Sequence, residues 1–268
     1  MAIAYACGTI ERGTEMNNIE RQYQTAKNLN TRMSIHEKYS TNRQPFGDWL
    51  VSHYRFQPGC RILELGCGTG DLWKGKLDLL EGDCHLTLTD FSAGMLESAR
   101  KNLPGSDFVD FQVVDIQDIP YEEDTFDVVI ANMMLYHVPD LHRGLAEVRR
   151  VLKPGGVFYC ATYGEHGIME FVNETLKAYQ ISGSIGKTFT LQNGGDSLGR
   201  HFSKVEKLTR EDGLAITHVP DFVDYVRSMS SLSGLERADA ALLLQAFEKK
   251  AVNGTLYIPK EYGMFVCR

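Results

Sequence analysis

The stretch Ile62-Leu63-Glu64-Leu65-Gly66-Cys67-Gly68-Thr69-Gly70-Asp71 decides the fold of this 268-residue chain. Its first four residues form a short apolar run typical of a buried strand, and a G-x-G-x-G turn follows directly. Glycines in such a turn lack the Cβ atoms that would keep the backbone away from a ligand, and they accept the positive φ angles of a tight turn. The stretch therefore predicts a strand, a ligand-binding turn and then a helix over 72–80.

Short apolar strands and amphipathic helices alternate after this turn. In the predicted helix 141–152, for example, Leu141, Leu145, Val148 and Leu152 share one face. This alternation is typical of βαβ crossovers, which place helices on both faces of a parallel sheet. The five strands of this region are predicted at 61–65, 85–89, 109–114, 126–131 and 157–162.

The flanking regions carry weaker patterns. The segment 182–201 contains five glycines and few large apolar residues, so we expect a mobile loop or lid there. Further helices are predicted at 17–30, 46–56, 167–179, 221–229 and 236–251, and further strands at 202–208 and 257–267. The domain hypothesis is a helical lid over 1–57 and one α/β domain over 58–268, with cap insertions at about 182–201 and 220–252.

Composition and charge limit the classes of partner that we expect this chain to bind. The chain has 28 Lys+Arg against 35 Asp+Glu, a net charge of −7, whereas a broad nucleic-acid interface needs a basic face. Nothing approaches the roughly 18 consecutive apolar residues of a membrane span, and no basic leader of a signal peptide stands at the start. The six cysteines include no C-x-x-C pair. We therefore expect a cytoplasmic protein with reduced thiols, without a metal site, a nucleic-acid partner or a membrane partner.

The glycine turn alone is compatible with two kinds of nucleotide ligand, a dinucleotide such as NAD and a ligand that carries positive charge. A dinucleotide fingerprint, G-x-G-x-x-G, needs a third glycine at position 71, where it lets the helix pack closely. Position 71 is an aspartate, which would repel a pyrophosphate. The sequence therefore disfavours NAD and favours a ligand that carries positive charge.

Polar residues stand where three further predicted strands end. Asp90 follows Gly70 by twenty residues, and an acid at the end of the second strand holds ribose hydroxyls in doubly wound nucleotide folds. Asp115 follows the third strand, where an acid and nearby backbone can meet an adenine amino group. Asn132 follows the fourth strand. Open α/β sheets bind ligands at this carboxyl edge, so the four elements indicate one site.

These motifs resemble the class I S-adenosylmethionine (SAM)-dependent methyltransferases, in particular the small bacterial ubiquinone/menaquinone-methyltransferase-like family. The resemblance covers about 58–162 strongly. It implies a Rossmann-like, seven-stranded, mostly parallel sheet with helices on both faces, an antiparallel last strand and a helical lid or cap. It also implies SAM as the cofactor. The matching residues are Leu63-Glu64-Leu65-Gly66-Cys67-Gly68-Thr69-Gly70, Asp90, Asp115-Ile116, Phe126-Asp127-Val128-Val129 and Leu152-Lys153-Pro154-Gly155-Gly156.

The resemblance also implies roles for individual residues. The three glycines of the turn would line the methionine part of SAM, with Glu64 beneath them, and Asp90 would hold the ribose. Phe91 and Met95 would pack near the adenine, whose edge would meet Asp115 and Ile116. The full set of expected cofactor-binding residues is Glu64, Gly66, Cys67, Gly68, Gly70, Asp90, Phe91, Met95, Asp115, Ile116, Asn132, Met133 and Tyr39.

The expected function is transfer of the SAM methyl group to a small-molecule acceptor, with release of S-adenosylhomocysteine. His137 is a candidate general base, because its ordinary pKa lies near neutrality; the competing interpretation is that it caps or bridges the helix beginning at Leu141. Methyl transfer can run on proximity and desolvation alone, so no base is obligatory. Two alternatives stay open, namely a SAM-binding protein that does not methylate and, less favoured, an NAD-dependent oxidoreductase.

Overall fold

The computed structural model describes residues 26–80, 82–103, 106–183, 187–229 and 231–268. The helices are α1 (Ala26–Tyr39), α2 (Phe46–His53), α3 (Ala93–Asn102), α4 (Leu141–Val151), α5 (Ile168–Leu176), α6 (Gly194–Leu198), α7 (Val219–Arg227) and α8 (Ala240–Glu248). The strands are β1 (Arg61–Leu65), β2 (His85–Asp90), β3 (Val109–Val113), β4 (Phe126–Asn132), β5 (Leu152–Tyr163), β6 (Ser182–Gly183), β7 (Val205–Ile216), β8 (Leu232–Ser233) and β9 (Leu256–Cys267).

Seven strands form one sheet in the order β3-β2-β1-β4-β5-β9-β7. Strands β1 to β5 pair in parallel, whereas β9 runs antiparallel to both of its neighbours, β5 and β7. The prediction of a seven-stranded, mostly parallel, Rossmann-like sheet with an antiparallel last strand is confirmed. The strand order reverses between β1 and β4, and ligands of such sheets bind at the carboxyl ends beside this switch point.

The central strands are buried on both faces. In β1, Leu63 belongs to the core that α4 covers through Leu145, while its neighbour Ile62 belongs to the core that α3 covers through Leu96. Successive strand residues point to opposite faces, so helices on both sides bury every position. This explains why the strands read as continuous apolar runs in the sequence.

A third cluster of buried residues lies in the cap, which we define as α1, α5, α7 and α8. Ile35, Val172, Phe222 and Phe247 are all buried in it, together with Ile258 of β9. The cap is therefore packed onto the far strands of the sheet rather than onto β1 to β4. The predicted division into a lid over 1–57 and a domain over 58–268 remains a prediction, and its first 25 residues lie outside the described residues.

The predicted helix at 72–80 is wrong. Hydrogen bonds in this segment span three residues, from the Trp73 amide to the Gly70 carbonyl at 3.0 Å and from the Lys76 amide to the Trp73 carbonyl at 2.9 Å. Gly75 has a φ of 69°, which a right-handed helix excludes, and only Leu77–Leu79 forms a 3₁₀ turn. The apolar spacing of Trp73, Leu77 and Leu80 reflects their packing against one core cluster, in which Trp73 is fully buried and the two leucines are partly buried.

The prediction of a mobile loop at 182–201 is wrong for its second half, which contains α6. Phe189, Leu191 and Leu198 are buried against the sheet. A Cβ atom on Gly194 would lie 2.8 Å from Cε2 of Phe265. Glycine therefore serves close packing here rather than flexibility.

Other elements were predicted with different bounds. Helix α8 begins at Ala240 instead of 236 because the Asp239 carboxylate accepts a hydrogen bond from the Leu242 amide at 2.8 Å, which caps the helix. Strand β7 extends to Ile216 instead of 208. The predicted helix at 17–30 lies largely outside the described residues, which begin within α1. In the ranges that the structure describes, no helix is long and apolar enough to cross a membrane, and no group of three potential ligands could hold a metal ion.

Candidate functional site

The glycine turn follows β1 at the carboxyl edge of the sheet. Gly66, Gly68 and Gly70 have φ angles of 71°, 58° and 74°, a region that side-chain-bearing residues rarely adopt. A Cβ atom on Gly66 would lie 3.0 Å from Cγ of Met134, and one on Gly70 would lie 2.9 Å from Cδ1 of Leu103. Two of these glycines are therefore required both by the backbone angle and by the neighbouring side chains.

Asp90 ties the end of β2 to this turn. Its carboxylate accepts hydrogen bonds from the Gly68 amide at 2.9 Å and from the Ser92 amide at 2.8 Å. The residue is fully buried, and burial raises its pKa to about 7 although both amide hydrogen bonds act to lower it. The carboxylate is thus held in a fixed position at the turn, in surroundings short of positive charge.

Glu64 lies beneath the turn on β1. The Trp73 indole donates a hydrogen bond to Oε2 of Glu64 at 2.5 Å, so the turn-rich segment after the glycines supports this carboxylate. Burial raises the pKa of Glu64 to about 7, hydrogen bonds from Trp73 and Asn132 lower it, and Asp90 raises it further. No described lysine, arginine or histidine forms an ion pair with either Glu64 or Asp90.

Asn132 ends β4 on the opposite side of the switch point. Its Nδ2 donates to the Tyr54 hydroxyl at 2.8 Å. Its Oδ1 is buried and accepts no hydrogen bond from any described residue, and a buried polar atom of this kind calls for a partner. Tyr54 is buried beside Asn132 and was not predicted from the sequence, because the apolar spacing predicts a helix over 46–56, whereas Tyr54 lies just after α2.

The next residue, Met133, has a φ of 56°. Its amide donates to the Ala161 carbonyl of β5 at 2.7 Å. This left-handed conformation, rare for a residue with a side chain, turns the chain out of the sheet directly beside the glycine turn.

The segment after β3 reaches the same edge. The Val114 amide donates to the Asp90 carbonyl at 3.2 Å, and the Asp115 carboxylate accepts from the Gln117 amide at 2.8 Å. Ile116 is fully buried, and Phe91 packs against its cluster. The structure therefore brings the predicted adenine-contacting residues next to Asp90.

Two further predicted residues support the turn from within. Met95 is buried on the first turn of α3. Cys67 is buried, and its amide donates to the Thr89 carbonyl of β2 at 2.8 Å. Burial raises the pKa of the Cys67 thiol well above its ordinary value, so the thiol is protonated and acts as a small apolar filler.

His137 lies in a short 3₁₀ turn after β4. The hypothesis that it caps α4 is wrong, because Asp140 caps that helix by accepting from the Arg143 amide at 3.0 Å. The His137 ring instead lies on Tyr136, 4.5 Å between ring centres, and Tyr136 lies 4.4 Å from Tyr163 at the end of β5. Burial lowers the pKa of His137 to about 4, so the imidazole is neutral at pH 7.

Comparison with known proteins identifies the region that contains this site. Residues 63–160 match a family described as "Methyltransferase domain". The chain is 35% identical over 137 residues to the demethylmenaquinone methyltransferase of Symbiobacterium thermophilum, which covers 47% of this chain and 55% of that protein. The chain carries a class I SAM-dependent methyltransferase domain. It spans about half the length of this curated relative.

Solved structures show the same fold. The [4+2]-cyclase SpnF has a TM-score of 0.56 and 20% identity, with 94% of each chain covered. Phosphoethanolamine N-methyltransferase 2 of Haemonchus contortus, in complex with S-adenosyl-L-methionine, has a TM-score of 0.57 and 16% identity over 94% of this chain and 59% of that one. These likenesses establish the methyltransferase fold over nearly the whole chain.

The residues at the switch point fit SAM. The cofactor carries a sulfonium, an ammonium group and two ribose hydroxyls, and the turn offers two buried carboxylates without a cation, Glu64 and Asp90. The unpartnered Oδ1 of Asn132 adds an acceptor. A pyrophosphate would meet the negative charge of Asp71 beside the turn. The Asp71 carboxylate is held there by a hydrogen bond that it accepts from the Thr69 hydroxyl at 2.7 Å.

Tyr39, also predicted to bind the cofactor, is the last residue of α1 in the cap and contacts α7 of the cap. Its hydroxyl donates to Oδ2 of Asp221 at 2.8 Å. Burial and this hydrogen bond raise the pKa of Tyr39 to about 12. The role of Tyr39 in cofactor binding remains a prediction, and its described hydrogen bond does not bring it to the glycine turn.

Proposed function

We propose that this protein transfers the methyl group of SAM to a small-molecule acceptor and releases S-adenosylhomocysteine. The observation that carries the proposal is the pair of buried, cation-free carboxylates, Glu64 and Asp90, joined to a glycine turn at the switch point of the sheet. A buried carboxylate with a raised pKa gains free energy when a ligand brings hydrogen-bond donors or positive charge to it.

We assign the methionyl and ribose ends of the cofactor as follows. The Gly66 and Gly68 backbone lines the methionyl part, since no side chain stands in the way there. Asp90 accepts hydrogen bonds from the ribose hydroxyls, and Oδ1 of Asn132 accepts from the ammonium group. Tyr54 fixes the Asn132 amide, because its hydroxyl accepts from Nδ2 at 2.8 Å.

The adenine lies, in this proposal, between the ends of β2 and β3. Phe91 and Met95 cover its ring, and Ile116 supplies an apolar wall. The Asp115 carboxylate accepts from the adenine amino group. Asp115 is oriented for this by the Gln117 amide and side chain, which donate to it at 2.8 Å and 3.2 Å.

SAM supplies an electrophilic methyl group on its sulfonium. The protein contributes by holding the acceptor in line with that methyl group and by excluding water, which together supply most of the rate for a displacement of this kind. His137 can take a proton from the acceptor, because the low pKa keeps its imidazole neutral. Its base role is optional for acceptors that carry no proton at the reacting atom.

The acceptor is a small molecule in this proposal. The net charge of −7 disfavours a nucleic-acid acceptor, and the names of the relatives, demethylmenaquinone methyltransferase and phosphoethanolamine N-methyltransferase, refer to small acceptors. The five described cysteines carry thiols and form no disulfide; the location that we propose for the protein is cytoplasmic.

The second candidate is a SAM-binding protein that does not methylate. It is favoured by one observation, the likeness to SpnF, a protein named as a [4+2]-cyclase. The two candidates share the cofactor site and differ in whether the methyl group leaves SAM.

The test is an incubation of the full chain with methyl-labelled SAM and a deproteinised small-molecule extract. We expect label in a new small molecule and an equal amount of S-adenosylhomocysteine, both lost in Asp90→Ala. Binding of SAM without any release of label, across extracts, would replace methyl transfer with the second candidate.

A further inference from the structure

A second polar cluster lies just past the carboxyl end of β5. Tyr163, the last residue of β5, pairs with Tyr262 of β9, and Tyr262 pairs with Arg210 of β7. Two residues further out, Lys260 pairs with Asp212. We call Arg210, Asp212 and Lys260 the cation cluster.

The cation cluster lies on the acceptor side of the cofactor site. Asn132, Ala161 and Met264 share one level of the sheet, and strands lie roughly 4.8 Å apart, so β9 is about 10 Å and β7 about 14 Å from β4. Tyr262 stands about 7 Å beyond that level toward the cap, at roughly 3.4 Å per residue. A molecule that reaches from the methionyl end of the cofactor along this edge meets Tyr163 first and the cation cluster next.

All three charged side chains of the cluster are buried, with side-chain exposures of 2% for Arg210, 0% for Asp212 and 3% for Lys260. Oδ2 of Asp212 contacts Arg210 Nη1 and lies 2.5 Å from Lys260 Nζ. Oδ1 accepts from the Gly213 amide at 2.8 Å and from the Asn42 amide at 3.1 Å. Asp212 is therefore fully occupied within the protein.

The cation cluster carries a net positive charge. Two cations face one carboxylate, and the Arg210 Nε is buried without a hydrogen-bond partner among the described residues. The nearby His36 adds no further positive charge, since burial and Lys260 lower its pKa to about 3, and a neutral imidazole cannot balance the excess cation. An uncompensated buried cation is costly, so the site is short of one anion.

A purely structural role explains only part of this arrangement. Lys260 Nζ donates to the Ser40 hydroxyl at 2.7 Å, and Arg210 Nη2 donates to the Gln44 carbonyl at 2.5 Å. The cluster thereby fixes the segment between α1 and α2 onto the sheet. One cation would be enough to balance the charge of Asp212 while fixing this segment. That structural role therefore does not explain the second cation or the Arg210 Nε without a hydrogen-bond partner.

We propose that the cation cluster binds a carboxylate of the methyl acceptor, with Arg210 as the specificity-determining residue. The arginine fork matches a carboxylate in shape and charge. Aromatic rings flank the cations, because Arg210 lies over Phe46 at 5.9 Å and Lys260 over Tyr262 at 5.4 Å. The inference rests on the proposed function, since it names the acceptor class of the same site.

The experiment titrates benzoate and its neutral isostere benzamide into the full chain saturated with S-adenosylhomocysteine, by calorimetry. We expect benzoate to bind at least tenfold more tightly than benzamide. Arg210→Gln and Lys260→Gln should each weaken benzoate at least tenfold and leave the S-adenosylhomocysteine affinity within twofold. Two variants are used so that a folding defect in one does not decide the result.

The matched control is Lys204→Gln, which removes one positive charge from an exposed residue immediately before β7 and should leave benzoate binding within twofold. Equal binding of benzoate and benzamide, no benzoate binding, or unchanged benzoate affinity in both cluster variants would overturn the proposal. Binding of inorganic phosphate in place of benzoate would likewise reject a carboxylate. Failure of wild-type protein to bind S-adenosylhomocysteine would count against the proposed function instead, because benzoate can be titrated without it.

Discussion

Buried carboxylates occur in two regions of the carboxyl edge, the glycine turn after β1 and the cation cluster on β7 and β9, and the charge around them differs in sign. At the glycine turn, burial raises the pKa of Glu64 and Asp90 to about 7, and no described cation balances them. In the cation cluster, burial acts in the same direction on Asp212, but Lys260, the Asn42 amide and Arg210 outweigh it and lower the pKa to about 2.

The difference indicates which charge each of the two regions lacks. The glycine turn has carboxylates without positive charge, so it favours a ligand that brings positive charge and hydroxyl donors. The cation cluster has positive charge in excess, so it favours an anion. One edge of one sheet is therefore complementary to a cationic cofactor at β1 and to an anionic acceptor group at β7 and β9.

The largest expected effect comes from removing the only carboxylate of the cation cluster. Asp212→Ala leaves two buried cations unpaired, which costs about 3–5 kcal/mol of unfolding free energy. Urea unfolding at pH 7 measures this loss. The control Asp110→Ala, whose partner His85 and own side chain are exposed at 38% and 70%, should change stability by less than about 0.5 kcal/mol. A loss below about 1 kcal/mol in Asp212→Ala would contradict the assigned charge balance.

The second prediction concerns pH. The folded-state pKa of Glu64, about 7, lies above that of an unfolded glutamate, so its contribution to stability is present below about pH 4.5 and is lost as pH rises through 7. The loss is about 3 kcal/mol at full effect. Glu64→Gln keeps an oxygen for the Trp73 indole and should make the fall in urea stability between pH 5 and pH 8 less steep without abolishing it, because Asp90, whose pKa is also about 7, contributes the remainder. An equally steep fall in the variant would show that another group causes it.

Asp212 should produce the opposite pH response. Its folded-state pKa of about 2 lies below that of an unfolded aspartate. Its contribution to stability is therefore present above about pH 4 and is lost as pH falls toward 2. The glycine turn therefore lowers the stability of the fold as pH rises, whereas the cation cluster lowers it as pH falls.

The third prediction concerns cofactor affinity. Asp90→Ala removes a hydrogen-bonded carboxylate from the proposed ribose site, which costs about 1.5–3 kcal/mol of binding free energy, or roughly 10- to 150-fold in Kd. Calorimetry with S-adenosylhomocysteine measures it, and Asp110→Ala serves again as the control. An unchanged Kd would remove Asp90 from the cofactor site.

The smallest expected effect separates the cap from the cofactor site. Tyr39→Phe removes a partly exposed hydrogen bond to Asp221 and should lower the unfolding free energy by about 0.5 kcal/mol. Because the described contact of the Tyr39 hydroxyl is to the cap, we expect the S-adenosylhomocysteine Kd to stay within twofold. A tenfold weaker Kd would restore the sequence-based prediction that Tyr39 belongs to the cofactor site.

The sequence places Asp90 and Asn132 at the same edge of the sheet as the glycine turn, but it does not predict the cation cluster. Asp90 and Asn132 were identifiable because each directly follows an apolar strand, and parallel strands bring such residues to one edge. The cation cluster lies in the second half of β7, where the charged run 210–212 hides the strand pattern. Its pairing with Lys260 depends on register with β9, which local sequence does not encode.

The missing helix at 72–80 shows a second limit. Trp73, Leu77 and Leu80 have helical spacing, but Gly75 adopts a positive φ and the indole of Trp73 turns to Glu64. Apolar periodicity therefore recorded which residues are buried, while the glycine determined the backbone. The result supports the site, since Trp73 holds the carboxylate beneath the turn.

The most direct test of the central claim, that the glycine turn binds SAM, is calorimetric titration of the wild-type full chain with SAM and, separately, with NADH. We expect saturable binding of one SAM per chain and no detectable binding of NADH. Tight binding of NADH without binding of SAM would contradict it, and would return the glycine turn to the dinucleotide-binding class.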